Sequence, residues 1–174
     1  MDKTNNQSQL RLTREILDQR VEKAVALFNA GYNCSQSVVA AFADLYGFTD
    51  TQAYHMAASF GGGIGRMRQT CGSACGMFLL AGLDCGATEG SDRVGKSHNY
   101  KVVQDMADEF KKVNGTLICA ELLGLKQIPK DPNAEERTAT YYKKRPCAKM
   151  VETSANIFAN YLARKAGLEE KTID

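Results

Sequence analysis

The chain predicts a single all-α domain, and three observations carry that expectation. Apolar residues recur at helical spacings of three and four along successive stretches. Gly, Pro, Asn and Asp punctuate the gaps between those stretches. No segment alternates apolar and polar residues between turn signals, as a half-buried strand would. At 174 residues, the chain suits one domain whose core needs no disulfide staple. The expected architecture is a single-domain helical bundle of about six or seven helices over residues 11–168, with tails at 1–10 and 169–174.

Residues 1–10 are rich in Asn, Gln and Ser and are expected to be disordered. A first helix runs from about Thr13 to Ala30, with Leu17, Val21, Ala24, Val25 and Phe28 as its stripe and Gly31 closing it. Asn33 suits the cap of a second helix, whose inner face is Cys34, Val38, Ala41, Phe42 and Leu45 and which Gly47 ends. Thr49 or Asp50 opens a third, through Tyr54, Ala57 and Ala58. The glycine-rich loop Phe60–Arg66 follows. Thr70 can cap the next helix, with Cys71, Cys75, Phe78 and Gly82 on one face.

Gly86–Gly95 is a polar loop before a long helix near Ser97–Val113, striped by Tyr100, Val103, Met106, Ala107 and Phe110. Asn114-Gly115 stops that helix, and Thr116 can cap a short one holding Cys119, Leu122 and Leu123. From Gly124 to about Ala139 the chain is polar, contains Pro129 and Pro132, and is expected to be a loop. Pro146 suits the start of a final helix with Cys147, Val151, Ser154, Phe158 and Leu162 on one face and Gly167 at its end.

Composition excludes several classes of function. A net charge of +2, with no basic stretch interleaved by aromatics, does not fit a nucleic-acid binder. The longest apolar run, Met77–Leu83, is far short of the roughly 20 residues of a membrane span, so no membrane insertion is expected. The first residues lack the apolar core of a signal peptide, which makes the cytoplasm the expected compartment. Thiols stay reduced there, so six cysteines point to ligands, redox groups or core packing before a disulfide framework.

Four of the six are the informative ones. Cys34, Cys71, Cys119 and Cys147 each fall in the first turn of a different expected helix. A helix N-terminus has unpaired N–H groups and partial positive charge, which favours a thiolate and lowers the cysteine pKa. Cys71, near Arg66 and Arg68, is the best single candidate for a reactive thiolate; Cys147 follows Lys143, Lys144 and Arg145. The plain alternative is core packing, because each cysteine also lies on an apolar stripe.

If the four converge, they suit an iron–sulfur cluster or another thiolate-bound metal, with a reversible cysteine pair as the second chemistry. No Cys-x-x-Cys is present, so a zinc knuckle is not expected. The absence of Cys-x-x-Cys-His likewise leaves c-type haem unexpected.

The order of these blocks resembles a known family. Gly31-Tyr-Asn-Cys-Ser-Gln-Ser-Val38, Phe60–Arg66, Cys71-Gly-Ser-Ala-Cys-Gly76, Cys119 with Glu121–Gly124, and Cys147 are similar to the C_GCAxxG_C_C family of redox proteins, over about residues 15 to 165. The resemblance implies a small, soluble, bacterial or archaeal protein whose shared cysteines are Cys34, Cys71, Cys119 and Cys147, leaving Cys75 and Cys85 outside. Ser73 stands where the family's block has Ala. A similar domain accompanies haem modules in split-Soret-type cytochromes, which implies electron transfer with a separate, unknown donor or acceptor. A homodimer is compatible with such a module.

The loop Gly61-Gly62-Gly63-Ile64-Gly65-Arg66 is not expected to bind a nucleotide, because no strand precedes it. It is expected instead to let backbone approach a helix or the sulfurs closely, with Gly61, Gly62, Gly63 and Arg66 supporting the site. His55 and His98 have no partnering cluster and are expected at the surface. The sequence therefore points to a redox protein with iron–sulfur-type chemistry first, thiol–disulfide exchange second, and a structural helical domain third. It does not decide whether the protein is an enzyme.

Overall fold

In a computed structural model of the chain, which describes residues 12–128 and 130–173, the fold is all-α. The expected disordered segment at 1–10 lies outside the described residues. Eight α-helices form, of which six have seven or more residues, and among the described residues there is no strand.

Helix α1 (Arg14–Asn29) starts where Thr13 Oγ1 accepts the Ile16 N–H at 3.2 Å, and it buries Leu17, Val21, Ala24 and Phe28. Gly31, at φ +104°, turns the chain into α2 (Cys34–Phe42). Asn33 and Gln36 make a reciprocal capping box there. Helix α2 carries no charged residue and sinks into the centre of the bundle, against α1, α4 (Gly72–Cys85) and α8 (Cys147–Ala166). The Phe42 and Phe158 rings meet edge to face at 5.1 Å on this axis. A side chain on Gly76 would come within 2.9 Å of the Ser35 carbonyl, so this glycine permits the close α2–α4 approach.

A second capping box, Thr49 with Gln52, opens α3 (Asp50–Ala57). Helix α5 (Arg93–Asn114) begins at Asp92 and lies against α4 and α8 through Met106 and Phe110. Tyr100 is 62% exposed and does not belong to the inner stripe, whereas its neighbour Asn99 donates to the Ala81 carbonyl of α4 at 3.3 Å. Gly82 and Ala58 are also exposed, whereas Val25, Leu45 and Tyr54 are half-buried. The short helices α6 (Cys119–Leu122) and α7 (Ala139–Lys144) sit beside the N-terminus of α8. Helix α7 begins where the expected loop from Gly124 ends and was not anticipated; Thr138 Oγ1 caps it by accepting the Tyr141 N–H.

Thr70 does not cap α4. It pairs instead with Ile118 in an isolated antiparallel bridge, which leaves Cys71 itself at the cap position. The C-terminal segment folds back on α8, where Asn160 exchanges two hydrogen bonds with the Lys171 backbone at 2.7 and 2.9 Å. Among the described residues no helix is long and apolar enough to cross a membrane.

Candidate four-cysteine site

Cys34, Cys119 and Cys147 are the first residues of α2, α6 and α8, and Cys71 immediately precedes α4. All four are buried, all are free thiols, and all line one cavity of about 50 Å³. Cys75 is buried one turn further along α4, with its sulfur near the Thr70 carbonyl at 3.9 Å, and does not line this cavity. Cys85 bonds to the Ala81 carbonyl at the far end of the same helix.

Backbone pairing sets Cys71 beside Cys119. The Cys71 N–H donates to the Leu117 carbonyl at 2.7 Å, the Cys119 N–H to the Gln69 carbonyl at 2.7 Å, and the Ala120 N–H to the Arg68 carbonyl at 3.1 Å. The glycine loop forms an adjoining part of the wall. Residues 62 to 66 all have positive φ (65°, 73°, 59°, 56° and 64°), which makes one turn of left-handed helix. L-residues pay about 1–2 kcal/mol each for this conformation, so the cost falls on Ile64 and Arg66. Hydrogen bonds from Gly65 N–H to the Ser59 carbonyl (2.7 Å) and from Arg66 N–H to the Gly61 carbonyl (3.1 Å) offset it. Gly63 is required for a second reason: a Cβ there would lie 2.6 Å from the Cβ of Cys119.

Of the residues expected to support the site, Gly62 and Gly63 line the cavity. Gly61 packs on Asn33 instead, and Arg66 turns outward to ion pairs with Asp131 (3.7 Å) and Glu135 (3.4 Å).

The thiols do not share one electrostatic fate. The neighbouring Cys34 thiol holds Cys147 low, at about 7, against burial and with help from Arg145, Arg137 and Arg68. The same interaction, with burial, pushes Cys34 well above the ordinary thiol value. Burial raises Cys71 and outweighs the hydrogen bond with Ser73 Oγ at 3.3 Å. Burial also raises Cys119 against the pull of Arg68. The helix-start argument therefore holds for position but not for acidity. Desolvation dominates at Cys71 and Cys119, the Cys147 interaction dominates at Cys34, and Cys147 is the most acidic thiol of the four. Ser73, where the family block has Ala, links Cys71 to α8, because Ser154 Oγ bonds to Ser73 Oγ at 3.0 Å.

Sequence reasoning missed most of the polar frame. Arg68 follows the glycine-rich loop, yet it is 4% exposed, with φ +61°. Arg137 packs over the rings of Tyr141 (4.6 Å) and Phe28 (4.8 Å), and its Nη2 donates to the Tyr32 carbonyl at 3.2 Å. Arg145 stacks on Tyr141 at 4.9 Å and bonds both Glu135 carboxylate oxygens at 2.6 Å. Arg137 lies just before the Thr138 cap, so its contact with Tyr141 depends on how the chain enters α7. Lys143 and Lys144 are exposed, as are His55 and His98.

Among the described residues no group of three or more His, Cys, Asp or Glu side chains is placed to hold a metal ion. The donor chemistry is nonetheless selective. Four sulfurs around one cavity suit thiophilic iron–sulfur or soft-metal chemistry and not a hard cation.

No curated protein and no solved structure matches the chain. A family model does, over residues 32–161, and its description is "Putative redox-active protein (C_GCAxxG_C_C)". That span begins two residues before Cys34 and extends beyond Cys147, so it takes in every cysteine of the cavity. The chain belongs to the C_GCAxxG_C_C family of redox-active proteins.

Proposed function

We propose that the protein is an electron-transfer protein whose centre is an iron–sulfur-type cluster held by Cys34, Cys71, Cys119 and Cys147. One observation carries this reading: four cysteines from four separate segments surround a single cavity of about 50 Å³. A cysteine pair would suffice for disulfide chemistry, and four sulfurs around a space suit a multi-atom group. A cluster of this class supplies one-electron oxidation and reduction at a potential set by charge, hydrogen bonding to sulfur and exposure.

The chain's own residues set those terms. Arg68, Arg137 and Arg145 offset thiolate charge, the Ser73 hydroxyl is in hydrogen-bond reach of the Cys71 sulfur, and burial keeps water from the sulfurs. In this reading the electron donor or acceptor is a separate molecule and the protein works in the cytoplasm.

Cys34 and Cys147 line the same cavity and shift each other's acidity, which favours a second reading, a reversible disulfide between them. Its formation releases two protons and passes two electrons to an acceptor thiol–disulfide couple. Oxygen-free purification separates the two. Cluster binding gives brown protein containing iron and acid-labile sulfide, both lost when any of the four cysteines becomes serine. Colourless protein that loses two free thiols on mild oxidation, mapped to Cys34 and Cys147, refutes the cluster and supports the disulfide. Colourless protein with unchanged thiols refutes both.

A further inference from the structure

Beside the sulfur cavity lies a second cavity of about 270 Å³, and Asn33, Gly62, Arg68, Arg137, Tyr141 and Arg145 line both. Arg66 and Glu135 line only the outer one, which makes it a vestibule to the sulfurs. Four guanidinium groups converge there. Those of Arg66, Arg68 and Arg145 share the Glu135 carboxylate, at 3.4, 3.5 and 2.6 Å, and Arg66 also pairs with Asp131 at 3.7 Å.

The cations are sequestered: the side chains of Arg66, Arg68 and Arg145 are 17%, 5% and 19% exposed, whereas Glu135 is 39% exposed on the loop that precedes α7. One carboxylate does not satisfy them. The Nε of Arg68 and the Nη1 of Arg137 are buried and have no hydrogen-bond partner. An unmet buried donor on a cation is costly, and each is a standing site for an acceptor. Offsetting the thiolates explains Arg68, Arg137 and Arg145. It does not explain the two unmet N–H groups.

We propose that the vestibule binds a small oxyanion, a carboxylate or a phosphate group, through Arg68, Arg137 and Arg145, and that the Glu135 carboxylate is its internal competitor. Planar guanidinium forks match both oxyanions, and the cavity is below the roughly 300 Å³ at which drug-sized ligand pockets begin. The inference deepens the redox reading: a molecule held here lies against the wall shared with Cys34 and Cys147, so the substrate or electron carrier that approaches the centre is anionic.

The test is calorimetric titration of the whole protein with sodium phosphate and with sodium malonate, at ionic strength fixed with sodium chloride. One anion should bind per chain. Arg137→Gln should weaken binding by roughly tenfold or more, the loss of a charge-assisted hydrogen bond. Glu135→Gln should tighten it by about threefold, as expected when a partly exposed ion pair no longer competes. Glu136→Gln removes the same charge from the next, exposed position and should change nothing.

Absence of binding above the chloride background overturns the proposal. Equal tightening by Glu135→Gln and Glu136→Gln also overturns it, because net charge alone would then explain the effect. If Arg137→Gln fails to fold by circular dichroism, the Glu135 and Glu136 comparison still decides. Iron, sulfide and thiol content are measured separately on the same samples. Specific anion binding by iron-free protein supports the vestibule even where the cluster reading fails.

Discussion

Gly63→Ala sets a new methyl group 2.6 Å from the Cβ of Cys119 and 2.9 Å from both the Arg68 Cα and the Gln69 nitrogen. Two costs follow, and they separate experimentally. Holding alanine at φ +73° costs about 1–2 kcal/mol. The overlap must be relieved by shifting Cys119 or the paired backbone around it, which costs about 1–3 kcal/mol for overpacking at a tight site. Gly65→Ala carries only the first cost, because at φ +56° its new methyl would meet nothing nearer than the Ser59 carbonyl at 3.9 Å. Gly63→Ala should therefore be the less stable of the two by about 1–3 kcal/mol. For a chain of this length that corresponds to a melting temperature roughly 2–12 °C lower. Urea unfolding followed by circular dichroism measures the difference. Equal stabilities, within about 0.5 kcal/mol, would refute the close approach of this loop to Cys119.

Two pH-dependent outcomes follow from the same electrostatics. In reduced, metal-free protein, iodoacetamide should label Cys147 before the other three cysteines of the cavity, with a rate midpoint near 7, and Arg145→Gln should move that midpoint upward; Cys71 labelling first would refute the assignment. Burial pushes the Asp84 carboxyl up, but bonds from Lys165 (2.7 Å), Tyr161 (2.5 Å) and Tyr46 (3.1 Å) outweigh it and hold Asp84 below its ordinary value. A depressed carboxylate contributes stability above its unfolded pKa, about 3.9, and loses it as the pH falls through the folded value. Asp84→Asn should therefore cost about 1–3 kcal/mol at pH 7 and little at pH 2 in denaturant titrations, and a pH-independent difference would refute this account.

Local signals were legible wherever one residue dictates one geometry. Thr13, Asn33 and Thr49 cap helices, and Gly31, Gly47, Gly115 and Gly167 take positive φ where helices or turns end. The final helix buries the whole expected face from Cys147 to Leu162. Periodicity misled where it could not tell a stripe from its neighbourhood. Tyr100 fits the spacing of α5 but is 62% exposed, while the adjacent Asn99 faces α4. Thr70 has the chemistry of a cap, but the loop pairing with Ile118 claimed its backbone.

At the site, the four cysteines could be picked out because helix starts are a local property. Their acidity could not be ordered, because burial and the Cys34–Cys147 contact exist only in the folded chain. Arg68, Arg137 and Glu135 occupy segments with no periodic signal, so only the tertiary fold assigns them to the site.

The sulfurs come from residues 34, 71, 119 and 147, and the last of these opens α8. On the ribosome the earlier thiols emerge first, without the partner that completes their enclosure. A nascent or truncated chain lacking residues from 147 onward would leave Cys34, Cys71 and Cys119 open to oxidants, and no fragment that stops short of α8 can enclose the cavity. Docking of α8 is thus a checkpoint: the thiols are enclosed only when the four segments that carry them have come together.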